Sequence, residues 1–211
     1  MDSALVLISV FAIFIPALIL PGPDFVAVVR SSMTYGTRAG LLTTLGVSMG
    51  LCLYATLSLL GLSAILVQYH WLTWAVRLLG GAYLILLGIK LLRAKPQTID
   101  LDDQPRRPAG KRAILFGFLV TLTNPKAIVL FASVFATAVT ASTPHWLMGV
   151  MITLVTASSL LWYSCVSLFM SSGPVMRRFQ RARHWIERAA GVCFIGLGGK
   201  VLADASRPIS P

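Results

Sequence analysis

The sequence predicts an all-α polytopic membrane protein: six transmembrane helices in two inverted three-helix repeats, with the first and fourth helices broken at proline-containing motifs. Three observations carry this. Of 211 residues, 56% are hydrophobic and only 12% charged, about half the roughly 25% charge of a solvated domain, and mean hydropathy is +0.80. The apolar residues fall into six runs, each near the ~20 residues needed to cross a bilayer. The basic residues gather on one face if successive loops alternate sides. A single transporter domain over 1–211 accounts for the chain, with repeat 1 at about 1–92, a cytoplasmic loop at about 93–112 and repeat 2 at about 113–204.

The first run spans Ser3 to Val29, and its one charge is Asp24. It is longer than the apolar region of a signal peptide and is flanked by Asp2 instead of a basic residue, so it is expected to be retained. The second run covers Ala39 to Val67 and the third Trp71 to Ile89. A polar stretch follows, Lys90 to Arg112. Apolar runs resume at Ala113 to Thr140, Trp146 to Met170 and Ala189 to Ala203. Continuous apolar runs lack the alternation of barrel strands. Helices are then the remaining way to satisfy every backbone group inside a bilayer.

Basic residues set the orientation. With the Lys90–Arg112 loop in the cytoplasm, that side collects Arg30 and Arg38, then Lys90, Arg93, Lys95, Arg106, Arg107, Lys111 and Arg112, then Arg177, Arg178, Arg181, Arg183 and Arg188. The opposite loops, around Gln68–His70 and Ala141–His145, carry no Lys or Arg. The positive-inside rule places both termini outside, periplasmic for a bacterial inner membrane. The net charge of +11 therefore reports orientation, and nucleic-acid binding of the polybasic kind is not expected.

The two halves resemble each other. A shift of 110 residues lays Gly81, Ile85, Leu87, Gly88, Lys90 and Leu92 on Gly191, Ile195, Leu197, Gly198, Lys200 and Leu202; a shift of 102 lays Phe14 on Phe116 and Pro23 on Pro125. Three-span halves must insert in opposite senses. Inverted repeats of this kind build secondary transporters, with the site at the repeat interface near the midplane.

The breaks mark where that site should lie. Pro16 and then Pro21-Gly22-Pro23-Asp24 interrupt the first run. Pro21 and Pro23 bring no N–H and crowd the preceding turn, and Gly22 tolerates unusual backbone. The carbonyls so freed need partners, and inside a bilayer such backbone must line a cavity. Thr123-Asn124-Pro125-Lys126 makes the matching break in the fourth run. Pro125 disfavours helical geometry at Asn124, whose amide could donate to a freed carbonyl. Lys126 is the one charge between Arg112 and Arg177, and it sits roughly 20 Å from the cytoplasmic end at 1.5 Å per residue.

Ionisable groups at such depth are costly and mark a pathway or a pair. Asp24 and Lys126 as a purely structural ion pair is the plainer reading, although desolvation tends to cancel its attraction. One fixed anion, one fixed cation and free backbone groups instead complement a zwitterion. Its carboxylate would meet Lys126 and a half-helix N-terminus, and its ammonium would meet Asp24. The candidate substrate-binding residues are Pro21, Gly22, Pro23, Asp24, Asn124, Pro125 and Lys126, with Asp24 also the natural proton-coupling group.

The PGPDF motif at Pro21–Phe25, followed by Gly36, Gly40, Gly46 and Gly50, resembles the LysE-type amino-acid exporters, as do RLLGGAYLILLGIKLLR and GFLVTLTNPKA. The nearest branch looks like the homoserine/threonine exporters. The resemblance runs over essentially the whole chain. It implies efflux of amino acids across a bacterial inner membrane driven by the proton-motive force, with the paired motifs at Pro21–Asp24 and Asn124–Lys126 as shared machinery. A single intramembrane carboxylate favours neutral substrates such as threonine, homoserine or leucine.

Competing classes find less support. A metal-cation exporter needs several converging carboxylates, thiolates or imidazoles, and only Asp24 is well placed. Cys52, Cys165 and Cys193 are scattered in apolar runs as small core residues, with no CxxC for redox or zinc chemistry. No Ser/His or paired-carboxylate constellation suggests an enzyme, and no cofactor or metal is expected. Gly36-xxx-Gly40 and Gly46-xxx-Gly50 suit close helix packing within the monomer, with a homodimer as the alternative. Arg77 is expected to snorkel, Glu187 to pair with Arg188 at the interface, and residues 173–188 to lie on the anionic leaflet. Tryptophans near the span ends fit an aromatic belt.

Overall fold

The computed structural model describes residues 3–62, 68–93, 110–135, 143–169 and 173–205. Much of the long basic loop, with Lys95, Asp100, Asp102, Asp103, Arg106 and Arg107, lies outside the described residues, as do 63–67, 136–140 and Arg207. Every regular element among the described residues is helical. In chain order these are α1 (Ser3–Ile19), α2 (Pro23–Tyr35), α3 (Thr37–Thr56, continued by a π-helical turn at Leu57–Leu62), α4 (His70–Leu92), α5 (Lys111–Leu122), α6 (Pro125–Leu130, continued by a π-helical turn at Phe131–Phe135), α7 (His145–Phe169) and α8 (Gly173–Ala205).

Three helices are long and apolar enough to cross a membrane by themselves: Thr37–Gly61, Trp74–Leu92 and His145–Phe169. The predicted breaks in the first and fourth runs both form. α1 and α2 meet at a bend of 42°, and α5 and α6 with its π turn at 54°; counting each bent pair as one span gives five. This is a multi-pass membrane architecture. The sixth run differs from expectation. The sequence suggests a surface helix over 173–188 and a separate span from Ala189, yet α8 is one 33-residue helix. The composition changes sharply at Arg188–Ala189, but nothing there breaks a helix: no proline follows Pro174 inside it.

Glycine sets the helix spacing. A Cβ on Gly46 of α3 would overlap the backbone carbonyl oxygen of Ile114 on α5, and one on Gly117 of α5 would overlap the Thr43 carbonyl oxygen. Gly40 faces Ser32 and Ser167, and Gly50 faces Thr121. Gly40, Gly46 and Gly50 thus pack within the monomer. Gly36 instead makes the turn between α2 and α3 with φ +88°, a conformation that costs other residues strain.

α4 and α8 cross antiparallel through a second glycine contact. A Cβ on Gly88 would lie 2.6 Å from the Gly191 carbonyl oxygen, and one on Gly198 would lie 2.6 Å from that of Gly81. Added at Gly191 it would meet Leu92 at 3.0 Å, and at Gly81 it would meet Leu202 at 2.9 Å. These residues exchange places under the 110-residue shift. Gly88→Ala and Gly198→Ala are therefore expected to destabilise equally, by about 1–3 kcal/mol each for overpacking a close contact. Thermal melting of the two variants in detergent checks this, and unequal losses would show that the crossing is not symmetric.

Glu187 is buried, at 4% exposure, and Arg188 lies over the Trp185 ring, 5.9 Å from its centroid. Cys52 and Cys165 are half-buried but Cys193 is exposed on α8, so it is not a core residue. Trp71, Trp74, Trp146 and Trp185 are all exposed.

Candidate functional site: two helix breaks that complete each other

Both breaks have the same local construction. Pro23 opens α2 behind Gly22 as N-cap, and Pro125 opens α6 behind Asn124 as N-cap. Proline suits the first helical position, where its missing N–H goes unneeded and its φ is already helical. The residue after each proline carries the charge: Asp24 in one half, Lys126 in the other. Two of the carbonyls that lose a partner to proline, four residues back, are those of Ala17 (before Pro21) and Thr121 (before Pro125).

The structure shows where these carbonyls turn. The Lys126 ammonium reaches across to α1 and donates to Ala17 O at 2.8 Å and Leu20 O at 3.2 Å. The Thr121 carbonyl accepts from the Asn124 N–H at 3.0 Å. The Asn124 side-chain oxygen caps α6 by accepting from the Lys126 N–H at 3.1 Å. That leaves the Leu122 carbonyl without its usual helical donor, and the Tyr54 hydroxyl of α3 donates to it at 2.7 Å.

Asp24 is buried at 2% exposure and is held from the other half. Thr121 Oγ1 donates to one carboxylate oxygen at 3.0 Å, and Asn124 Nδ2 to the other at 2.9 Å. The anion of the first break is thus bound by the second break, and the cation of the second binds the carbonyls of the first. Asp24 and Lys126 attract each other electrostatically but are held through these separate partners. Asn124 corrects one expectation: its amide donates to the Asp24 carboxylate instead of a freed carbonyl, because the carboxylate lies in reach and carries full charge. Gly22 makes room for the arrangement, since a Cβ there would sit 3.0 Å from Lys126 Nζ.

The two sides of the clamp differ. Toward α1 and the π turn after α6 the space is filled by rings: Phe14 contacts Phe11, Phe131 and Phe135 edge-on at 5.7, 6.0 and 5.7 Å, and Tyr54 stacks on Phe131. Toward α2 and α5 an open cavity of about 500 Å³ runs from Pro21, Gly22 and Pro23 along Val26, Ala27 and Arg30, with Phe116 and Val120 opposite. Small-molecule sites commonly measure about 300–1,000 Å³.

All seven residues singled out in the sequence therefore meet at one place. Thr121, Tyr54, Ala17, Leu20 and Arg30 join them. Ala17 was readable as the residue four before Pro21. Thr121 and Tyr54 carried no signal beyond a polar atom in an apolar run.

The family described as LysE type translocator matches residues 15–205, which takes in both breaks and every residue of the clamp. The chain belongs to the LysE family. Among its relatives is the threonine efflux protein of Escherichia coli K12, 32% identical over 197 residues that make up 90% of this chain and 94% of that protein. The threonine efflux protein of Salmonella typhi is 31% identical over 196 residues, again 90% and 94% of the two chains. A Haemophilus influenzae protein named as an uncharacterized membrane protein is 27% identical over 196 residues, 91% of this chain and 93% of that one. No solved structure gives a significant match. Among the described residues, no group of three His, Cys, Asp or Glu side chains converges.

Proposed function

We propose that this LysE-family translocator is a secondary transporter that exports small neutral amino acids, of the threonine, homoserine or leucine kind, across the bacterial inner membrane under the proton-motive force. The observation that carries the reading is the reciprocal clamp at the head of an open cavity. A buried carboxylate whose hydrogen bonds among the described residues come from neutral donors, Thr121 and Asn124, is ready to exchange them for a substrate ammonium. The relatives named as threonine efflux proteins support the same substrate class.

In this reading the protein is a carrier and not an enzyme, with no cofactor. Pro21, Gly22 and Pro23 shape the cavity head, and Asn124 and Pro125 present the donors. Lys126 closes the first break and balances Asp24. Substrate ammonium and proton compete for Asp24: when the ammonium leaves, the carboxylate loses its cationic ligand and takes a proton, and this exchange is the coupling step. The equivalence of Pro23 with Pro125 and of Asp24 with Lys126, together with the exchangeable Gly88–Gly191 and Gly198–Gly81 contacts, supports two inverted repeats within one domain. With the basic loop cytoplasmic and both termini periplasmic, the open cavity faces the cytoplasm and the packed rings face out, the arrangement an exporter needs for loading.

Counterflow in proteoliposomes across a panel of labelled amino acids tests the reading. Uptake of one or a few neutral amino acids, accelerated by an imposed proton gradient, is expected. Uptake of a divalent cation or another metabolite, and of no amino acid, would replace it with the alternative of a metal or metabolite exporter.

A further inference from the structure

The cavity holds a cation that the clamp does not use. Arg30 lies on α2 seven residues beyond Pro23, on the face shared with Ala27, and it lines the cavity. Its Nη2 is buried and has no hydrogen-bond partner among the described residues. A guanidinium nitrogen removed from water and left unpaired is costly, so the geometry calls for an acceptor that the described residues do not supply. The rest of the lining offers none by side chain: Pro21, Pro23, Val26, Ala27, Phe116 and Val120 are apolar. Lys126, the other cation near the cavity, already gives two of its three ammonium donors to the Ala17 and Leu20 carbonyls and is not among the cavity's lining residues.

From this we propose that Arg30 binds the carboxylate of the transported amino acid, so that the carboxylate docks at Arg30 and not at Lys126. This rests on the amino-acid export reading and names the group that recognises one end of the substrate. Guanidinium meets carboxylate through two parallel hydrogen bonds, which fixes orientation as well as charge. Arg30 stands roughly 10 Å along the helix axis from Pro23. A substrate whose carboxylate meets Arg30 has its side chain against Val26, Phe116 and Val120 and its ammonium on the side of the Pro21–Pro23 end. The sequence hid this role because an arginine near the end of a span counts equally as an orientation signal. The same residue can serve both.

The test is counterflow of labelled L-threonine by wild type, R30K and R30Q, with unlabelled L-threonine and L-threoninol as competitors. Threoninol keeps the side chain and ammonium but has CH2OH in place of the carboxylate. Wild type should prefer threonine strongly over threoninol. In R30Q the KM for threonine should rise about 10- to 100-fold, the loss expected for a hydrogen bond to a charged group, and the two compounds should compete alike. R30K keeps the charge, and hence the topology, but not the two-pronged geometry, so its KM should also rise. Wild-type KM and discrimination in R30Q, or a wild-type KM in R30K if R30Q does not insert, would overturn the proposal. So would dependence of the Arg30 effect on anionic phospholipid with threoninol discrimination intact, which would make the acceptor a lipid phosphate. Transport of no amino acid by the wild type would instead sink the export reading itself.

Discussion

Asp24→Asn should leave a protein that inserts and purifies as before but exchanges substrate at about one-tenth to one-hundredth of the wild-type rate, the scale set by a charged hydrogen bond worth about 1.5–3 kcal/mol. The substitution keeps the shape and removes the charge. It also breaks the local donor pattern. Asp24 accepts from Thr121 on one oxygen and from Asn124 on the other, whereas an asparagine must turn an NH2 group toward one of those donors. Asn124 cannot flip to relieve this without giving up its cap on the Lys126 N–H. Lys126→Ala should be worse for folding, by about 3–5 kcal/mol, because removing one member of a buried charged set leaves the other uncompensated. The Ala17 and Leu20 carbonyls would lose their donor as well. Counterflow and thermal melting separate the two effects. If both variants transported at wild-type rates, the clamp would not be the site.

Gly46→Leu is expected to prevent stable folding, and Gly46→Ala to cost about 1–3 kcal/mol or somewhat more. Even one added carbon meets the Ile114 carbonyl and the Phe118 backbone nitrogen, and backbone cannot swing aside as a side chain can. α3 and α5 would have to separate, pulling Thr121 and Asn124 away from Asp24. Gly149→Ala supplies the control: nothing lies within 4 Å of a Cβ there, so its effect should stay within about 0.5 kcal/mol. Loss of the monodisperse fraction in detergent together with loss of counterflow for Gly46 variants, and neither for Gly149→Ala, is the expected outcome. A fully stable Gly46→Leu protein would contradict the α3–α5 contact.

The helix breaks were legible because proline acts locally. A missing N–H and a ring that crowds the preceding turn have the same meaning in any context, so Pro21, Pro23 and Pro125 announced their positions. Asp24 and Lys126 stood out because so few other charges interrupt the apolar runs. What those charges touch was not. Lys126 lies 109 residues from Ala17 and Asn124 lies 100 from Asp24, and partners so distant are chosen by packing. The continuous α8 was missed for the opposite reason. A change from basic to apolar residues reads as a boundary, but a helix stops only where its backbone bonding stops. The π turns after α3 and α6 left no trace in the pattern of side chains.

The crossed bonding between the breaks also limits what a more symmetric protein could do. If both breaks carried the residue now at position 24, two carboxylates would face each other with no ammonium to cap α1. If both carried the residue now at 126, two ammonium groups would compete for backbone carbonyls with no anion between them. Identical halves would therefore repel at the very place where these two attract. Two copies of one half could supply the scaffold, but only different residues after the two prolines could make the crossed bonds, and a homodimer of either half alone could not stand in for the whole.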